Sequence, residues 1–199
     1  MPENQVLTNL CDEYFANVKL LVVFDGANES KIIKDSSPTN KIPQTVENVV
    51  ITTEEKKFRT GSGKYKYDTS TIPHLVFGPS TDLNFSGDWT LEFYLYVKSD
   101  RPVGSGDYEY FMSPGFNQYF YVDTQSPPVL HCTWFGQMGS AGSGSGDAGQ
   151  GTGLAVISTN RWNHITLMHR SNGEWYFYLN GKFINSGTGT IDTGGGSSG

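Results

Sequence analysis

Residues 89–97 read WTLEFYLYV, and this stretch constrains the fold more tightly than any other. Trp89, Leu91, Phe93, Leu95 and Val97 recur at every second position, with Thr90, Glu92, Tyr94 and Tyr96 between them. A period of two puts the first set on one side of a pleated strand and the second set on the other, whereas a helix would scatter both. The stretch is a strand with one apolar face to bury.

The surrounding sequence extends this pattern. In 162–186, HITLMHR, EWYFYLN and KFINS are separated by Ser171-Asn172-Gly173 and by Asn180-Gly181. Asn-Gly accepts positive φ at both central positions of a tight hairpin, so the segment is a three-stranded antiparallel meander. Trp175, Phe177 and Leu179 then face the core, and Tyr176 and Tyr178 face away. Strands are also expected at 18–24, where Val18, Leu20, Val22 and Phe24 alternate up to Asp25-Gly26, and at 49–53, 64–67, 74–77, 108–112, 118–123, 129–134 and 154–158. No window of comparable length carries a 3.6-residue apolar stripe. Many short strands without βαβ alternation make an all-β, antiparallel two-sheet β-sandwich, with a closed barrel as the alternative.

Composition agrees with that class and excludes several functions. Aromatic residues make up 14% of the 199 residues and charged residues 17%, and low charge with many rings suits strands better than helices. Fourteen Lys and Arg against 20 Asp and Glu leave a net charge of −6, a poor basis for neutralising the phosphates of nucleic acid. The run LLVVF at 20–24 is too short to span a bilayer, and the first residues lack the basic start and apolar core of an export signal, so neither membrane insertion nor secretion is expected. Cys11 and Cys132 are too few and too far apart for a disulfide framework or a zinc site, and read as free thiols. Residues 1–17 are polar and aperiodic, an arm leading into a sandwich over 18–193. Glycine-rich 136–153 is a loop within it, and 194–199 is a flexible tail.

The order LLVVFDGANES, KDSSPTNK, KFRTGSGKYKY, PSTDLNFSGDWTLEFYLYV and NRWNHITLMHRSNGEWYFYLNGKFINSG resembles the concanavalin A-like, laminin G-like jelly-roll domain of bacteriophage structural proteins. The resemblance runs over residues 18–187. It implies a jelly roll and a virion component, a head decoration, knob or tail-fibre domain assembled in the host cytoplasm. Such a component docks on other virion proteins in many copies or as a homo-oligomer, with residues 1–17 as a docking arm. Family domains usually continue past the YLNG hairpin with a closing strand, where this chain runs into GTGTIDTGGGSSG. An edge left open in that way invites a strand from another chain.

The superfamily also includes lectins and glucanases, so the chemistry has to be read from the residues. Retaining glycoside hydrolysis needs two carboxylates about 5–5.5 Å apart. Here Glu92 and Glu174 are each alone on a strand, and Asp107 with Glu109 follow a Gly-Ser-Gly turn. No strand leads into a G-x-S-x-G elbow, no zinc spacing or P-loop is present, and adjacent His131 and Cys132 point to opposite faces. His164 and His169 fall on opposite faces of one strand and read as structural. No enzyme activity is expected. Two binding chemistries stay open. Tyr94, Tyr96, Tyr119, Tyr121, Tyr176 and Tyr178 can stack on the sugars of host-surface glycans or anchor a protein interface. Relatives of this fold often hold a cation on loop oxygens; Asp25, Asn28, Asp35, Asp82 and Asn84 offer hard donors for calcium, and are equally ordinary turn residues.

Overall fold

A computed structural model describes residues 13–66, 73–78, 80–100, 109–115, 118–122, 127–132 and 155–189. The arm residues 1–12 with Cys11, the glycine-rich loop 136–153, Asp107 and the tail 194–199 lie outside the described residues. Beyond two short 3₁₀ turns, Phe15–Asn17 and Thr81–Leu83, all regular structure among the described residues is β. The chain forms two compact units, Met1–Leu83 and Asn84–Gly199.

The first unit is built from three short antiparallel ladders. Strand β1 (Val22–Val23) pairs with β2 (Lys34–Asp35), β3 (Pro43–Glu47) with β6 (His74–Phe77), and β4 (Val49–Thr52) with β5 (Ser62–Tyr65). All four residues of β4 are buried, so both its faces are covered and the run reads VVIT without alternation. The strand expected over 18–24 shrinks to two residues because a side chain takes the place of a ladder partner. The Leu21 amide donates to Asp35 Oδ1 at 2.8 Å. Strands β2 and β3 have no alternating apolar pattern and were not expected.

Glycine is required where β5 begins. A Cβ at Gly61 would lie 2.8 Å from the carbonyl oxygens of both Phe24 and Thr52, backbone atoms that no rotamer can move aside. Gly61→Ala is expected to destabilise the chain by about 1–3 kcal/mol, measured by urea unfolding.

The second unit contains β7 (Trp89–Tyr96), β8 (Glu109–Gly115), β9 (Gln118–Val122), β10 (Leu130–Cys132), β11 (Trp162–His169), β12 (Glu174–Leu179) and β13 (Lys182–Thr188). Two antiparallel sheets result, ordered β13-β12-β11-β7 and β10-β9-β8. Phe120, Val122, Leu130 and Cys132 from the smaller sheet meet Ile165, Leu167, Trp175, Phe177 and Leu179 from the larger in one buried cluster. The Phe120 ring packs edge-on against Phe93 at 5.3 Å and lies 6.3 Å from Phe177, which places the inner faces of the two sheets against each other. This is the expected β-sandwich of jelly-roll type.

The turn chemistry holds as read: Asn180 and Gly181 both have positive φ, at 52° and 74°. Strand β13 runs from Lys182 to Thr188, two residues beyond the KFINS stretch. The strand expected over 154–158 is reduced to a single bridge between Val129 and Val156. The buried amide of Asn163 accounts for this. It accepts from the Ser158 amide at 3.2 Å and donates to the Ser158 carbonyl at 2.8 Å, satisfying backbone groups that a ladder would otherwise need. Cys132 is buried in the core, and His131 beside it points the other way, stacked on Tyr121 at 4.6 Å.

Candidate functional site

Alternation along β7, β11 and β12 sends every second side chain out of the core, and the register aligns those side chains in rows across the larger sheet. Tyr96 lies opposite Trp162, Tyr94 opposite His164, and Glu92 opposite Thr166, which in turn faces Tyr178 on β12. Met168 faces Tyr176. Tyr178 pairs with Phe183 on β13 across a bulge that shifts the register after Phe177. The outer face is therefore a sheet of rings around a small polar centre.

The rings are held in defined contacts. Tyr94 stacks on the His164 imidazole at 4.6 Å and 18°, and Tyr96 meets Trp162 at 5.4 Å. Tyr178 meets Phe183 at 5.8 Å. Such pairs contribute about 0.5–1.5 kcal/mol each beyond their burial and fix ring orientation before any ligand arrives. Tyr94 and Phe183 remain 38% and 48% exposed. In the polar centre His164 Nε2 lies 3.5 Å from Thr166 Oγ1 and 4.0 Å from Glu92 Oε2. At the far end the Tyr176 hydroxyl donates to Glu174 Oε2 at 3.0 Å, and the Arg170 guanidinium stands 5.5 Å from the Tyr176 ring. Hydrogen bonds from Asn172 and Tyr176 hold the Glu174 carboxyl below its usual range, and donating to Glu174 pushes the Tyr176 phenol up.

Four of the six candidate tyrosines thus come together: Tyr94, Tyr96, Tyr176 and Tyr178. Tyr121 belongs to the smaller sheet, where it stacks on buried His131, and the Tyr119 side chain lies outside the described residues. Trp162, Phe183 and Thr166 are not distinguished in the sequence, while Glu92 reads there as a lone carboxylate and His164 as a structural histidine. Threading WNHITLM back along EWYFYL through the Ser171-Asn172-Gly173 turn would have put Thr166 opposite Tyr178, with His164 and Trp162 on the same face as the tyrosines, because hairpin register follows from turn type.

The carboxylates of this face are far apart. Glu92 is two strands from the Tyr178 position and Glu174 four residues along from it, a separation of about 16 Å from ordinary strand spacing and rise. Neither the roughly 5–5.5 Å of a retaining pair nor the 6.5–9.5 Å of an inverting pair is met. His169 is committed to the fold: its ring nitrogens face the carbonyls of Gly87 at 2.8 Å and Gly189 at 3.3 Å, and its ring stacks on Trp89 at 5.3 Å.

The calcium candidates fall in different places. Asp25 accepts from the Thr60 amide, the Thr60 hydroxyl and the Arg59 guanidinium, and the Thr60 amide leads in lowering its pKa. Asn28 Oδ1 accepts from the Thr53 amide at 3.1 Å. Asp35 is buried and accepts from the amides of Leu21, Ser37 and Lys41 and from the Ser37 hydroxyl, each at 2.8 Å. Asp82 pairs with the Lys41 ammonium at 3.0 Å, and that hydrogen bond pulls its carboxyl down. Asn84 is exposed in the second unit. A carboxylate offers about four lone-pair positions, and N–H and O–H donors take all four at Asp35. At Asp35 no position is left for a calcium ion, and Asp25, Asn28 and Asp82 already accept from protein donors that a shell of six to eight oxygens at about 2.3–2.6 Å would have to displace. Among the described residues, no three His, Cys, Asp or Glu side chains are grouped so as to hold a metal.

Comparison with known proteins agrees with this architecture. A family model described as the concanavalin A-like lectin/glucanases superfamily, in its laminin G group, matches residues 69–199. No curated protein matches. Among solved structures, the chain is similar to the binding domain of Paraclostridial Mosquitocidal Protein 1, with a TM-score of 0.53 and 20% identity. That match covers 84% of this chain and 40% of the other, a likeness of fold.

Proposed function

Because the chain belongs to the concanavalin A-like lectin/glucanases superfamily, we propose that it is a non-enzymatic binding module whose ligand surface is the outer face of β7, β11, β12 and β13. The ligand class is carbohydrate. The observation that carries the reading is the set of pre-oriented rings of Tyr94, Tyr96, Trp162, Tyr178 and Phe183 around Glu92, His164 and Thr166. A sugar ring presents C–H groups on its face and hydroxyls at its edge. Aromatic faces suit the first, and a carboxylate, an imidazole and a hydroxyl suit the second. From the Tyr96 and Trp162 row to the Tyr176 row the register advances six residues along β11, about 20 Å. That span favours an oligosaccharide lying along the strands over a single terminal sugar. The 16 Å gap between Glu92 and Glu174, inferred from strand geometry, supports binding without cleavage.

The setting we propose is a bacteriophage particle, as a head decoration, knob or tail-fibre domain docked on other virion proteins. Its support is the sequence resemblance. Many copies on one particle would turn weak single contacts with host glycans into durable adsorption.

A glycan array probed with the full chain tests the reading. Tyr94→Ala and Tyr178→Ala are each expected to weaken binding about tenfold, equivalent to about 1.4 kcal/mol, while the variants stay folded with the melting temperature lowered by at most about 6 °C. Release of new reducing ends from a bound polysaccharide would overturn the non-enzymatic assignment. A chain that binds no glycan yet restores a particle lacking it would reassign the face to protein contacts.

A further inference from the structure

Outside the aromatic face, a dense polar cluster among the described residues surrounds one ammonium group. Lys41 Nζ donates to the Lys19 carbonyl at 2.9 Å, to Thr39 Oγ1 at 2.6 Å and to Asp82 Oδ2 at 3.0 Å. Three N–H bonds thus meet three oxygens, the full donor capacity of a lysine. Its side chain is 12% exposed, unusually buried for a residue that normally keeps its charge in water. The oxygens are themselves positioned from behind. Thr39 Oγ1 lies 2.8 Å from Ser37 Oγ and 3.4 Å from Asp35 Oδ2, and Asp82 Oδ2 lies 3.5 Å from the Ser80 hydroxyl. Asp35 and Asp82, which the sequence offers as calcium ligands, are joined through Lys41, whose backbone amide serves one and whose ammonium serves the other.

We propose that Lys41 is the resident cation of this cluster: its ammonium occupies the place a divalent ion would take among loop oxygens, so the first unit is ordered without calcium. Carbonyl, hydroxyl and carboxylate oxygens converging on a point favour any cation there. A tethered ammonium fills the point permanently, with no dependence on the metal outside. The N–O distances are those of charge-assisted hydrogen bonds rather than metal–oxygen bonds.

The test is thermal melting of the full chain in millimolar calcium and in chelator, for the wild type and for Lys41→Ala, Lys41→Met and Asp82→Asn. The wild type is expected to melt at the same temperature in both. Lys41→Ala opens the cluster and is expected to melt lower by about 4 °C or more, as about 2 kcal/mol would give, and to regain part of that loss in calcium. Lys41→Met fills the space with an uncharged stem and is expected to lose stability without a calcium response. Asp82→Asn keeps the shape, removes one charge and is expected to lower the melting temperature without a calcium response. Overturning results are a wild type stabilised by calcium and lowered by chelator, or a Lys41→Met variant as stable as the wild type. A Lys41→Ala variant that folds and ignores calcium likewise overturns the proposal. The wild-type and Asp82→Asn measurements decide it if Lys41→Ala does not fold.

Discussion

Phe177→Ala is expected to remove about 3–5 kcal/mol of stability, the range for deleting a fully buried phenylalanine and leaving a cavity. Phe177 has no exposed surface, sits at the centre of β12 and faces Phe120 across the two sheets at 6.3 Å. Phe120 is equally buried and touches Phe93 on the other side, so truncating Phe177 loosens contacts on both sheets at once. Small domains have only about 5–15 kcal/mol in total, and such a loss lowers the melting temperature by more than about 6 °C. The informative control is the next residue. Tyr178 lies on the opposite face of the same strand, and Tyr178→Ala is expected to cost under about 1.5 kcal/mol, chiefly its contact with Phe183. Equal losses from the two variants in a denaturant titration would contradict the inward and outward assignment on which the proposed binding face rests.

That assignment was legible in WTLEFYLYV and EWYFYL because one face of each strand is buried and the other is not, and a slip of one residue would invert both. The Ser171-Asn172-Gly173 turn then set the register between β11 and β12, and Asn180-Gly181 that between β12 and β13, so the neighbours of Tyr178 followed from sequence in principle. The first unit was far less legible. Its strands are two to five residues long, and β4 is buried on both faces, so the period-two signal is missing. Strand β2 exists because the Asp35 carboxylate organises three stretches of chain, a role indistinguishable in sequence from an ordinary turn aspartate. The same limit applies to Lys41. Nothing in PTNKIP separates a solvated lysine from one whose ammonium is enclosed by Lys19, Thr39 and Asp82, since the partners come from positions 22 residues upstream and 41 downstream. Among the rings, Trp162 and Phe183 were less legible because each stands beside a turn, before the apolar alternation that marks a strand is established, and the bulge that follows Phe183 interrupts it again.

The Asp35 carboxylate gives the second large effect, and it carries a pH signature that core packing lacks. Asp35 is 3% exposed. Burial alone would raise its pKa, but hydrogen bonds from the amides of Leu21, Lys41 and Ser37 and from the Ser37 hydroxyl outweigh it and hold the group at about 2, against an ordinary 3.8. A folded pKa below the unfolded one means that the unfolded chain binds the proton more readily. The stabilisation is therefore complete above about pH 5 and is lost as pH falls through 3.8 towards 2. The shift corresponds to about 2 kcal/mol. Asp35→Asn keeps the shape but turns an NH₂ group towards N–H and O–H donors, stranding buried groups, and is expected to cost about 3 kcal/mol or more near neutral pH. Because the asparagine cannot titrate, the gap between wild type and variant is expected to shrink by about 2 kcal/mol between pH 6 and pH 2. Urea unfolding of both proteins across that range measures the gap directly. A gap that stays constant would mean that Asp35 acts through packing alone, and that the donors around it do not favour its charged form.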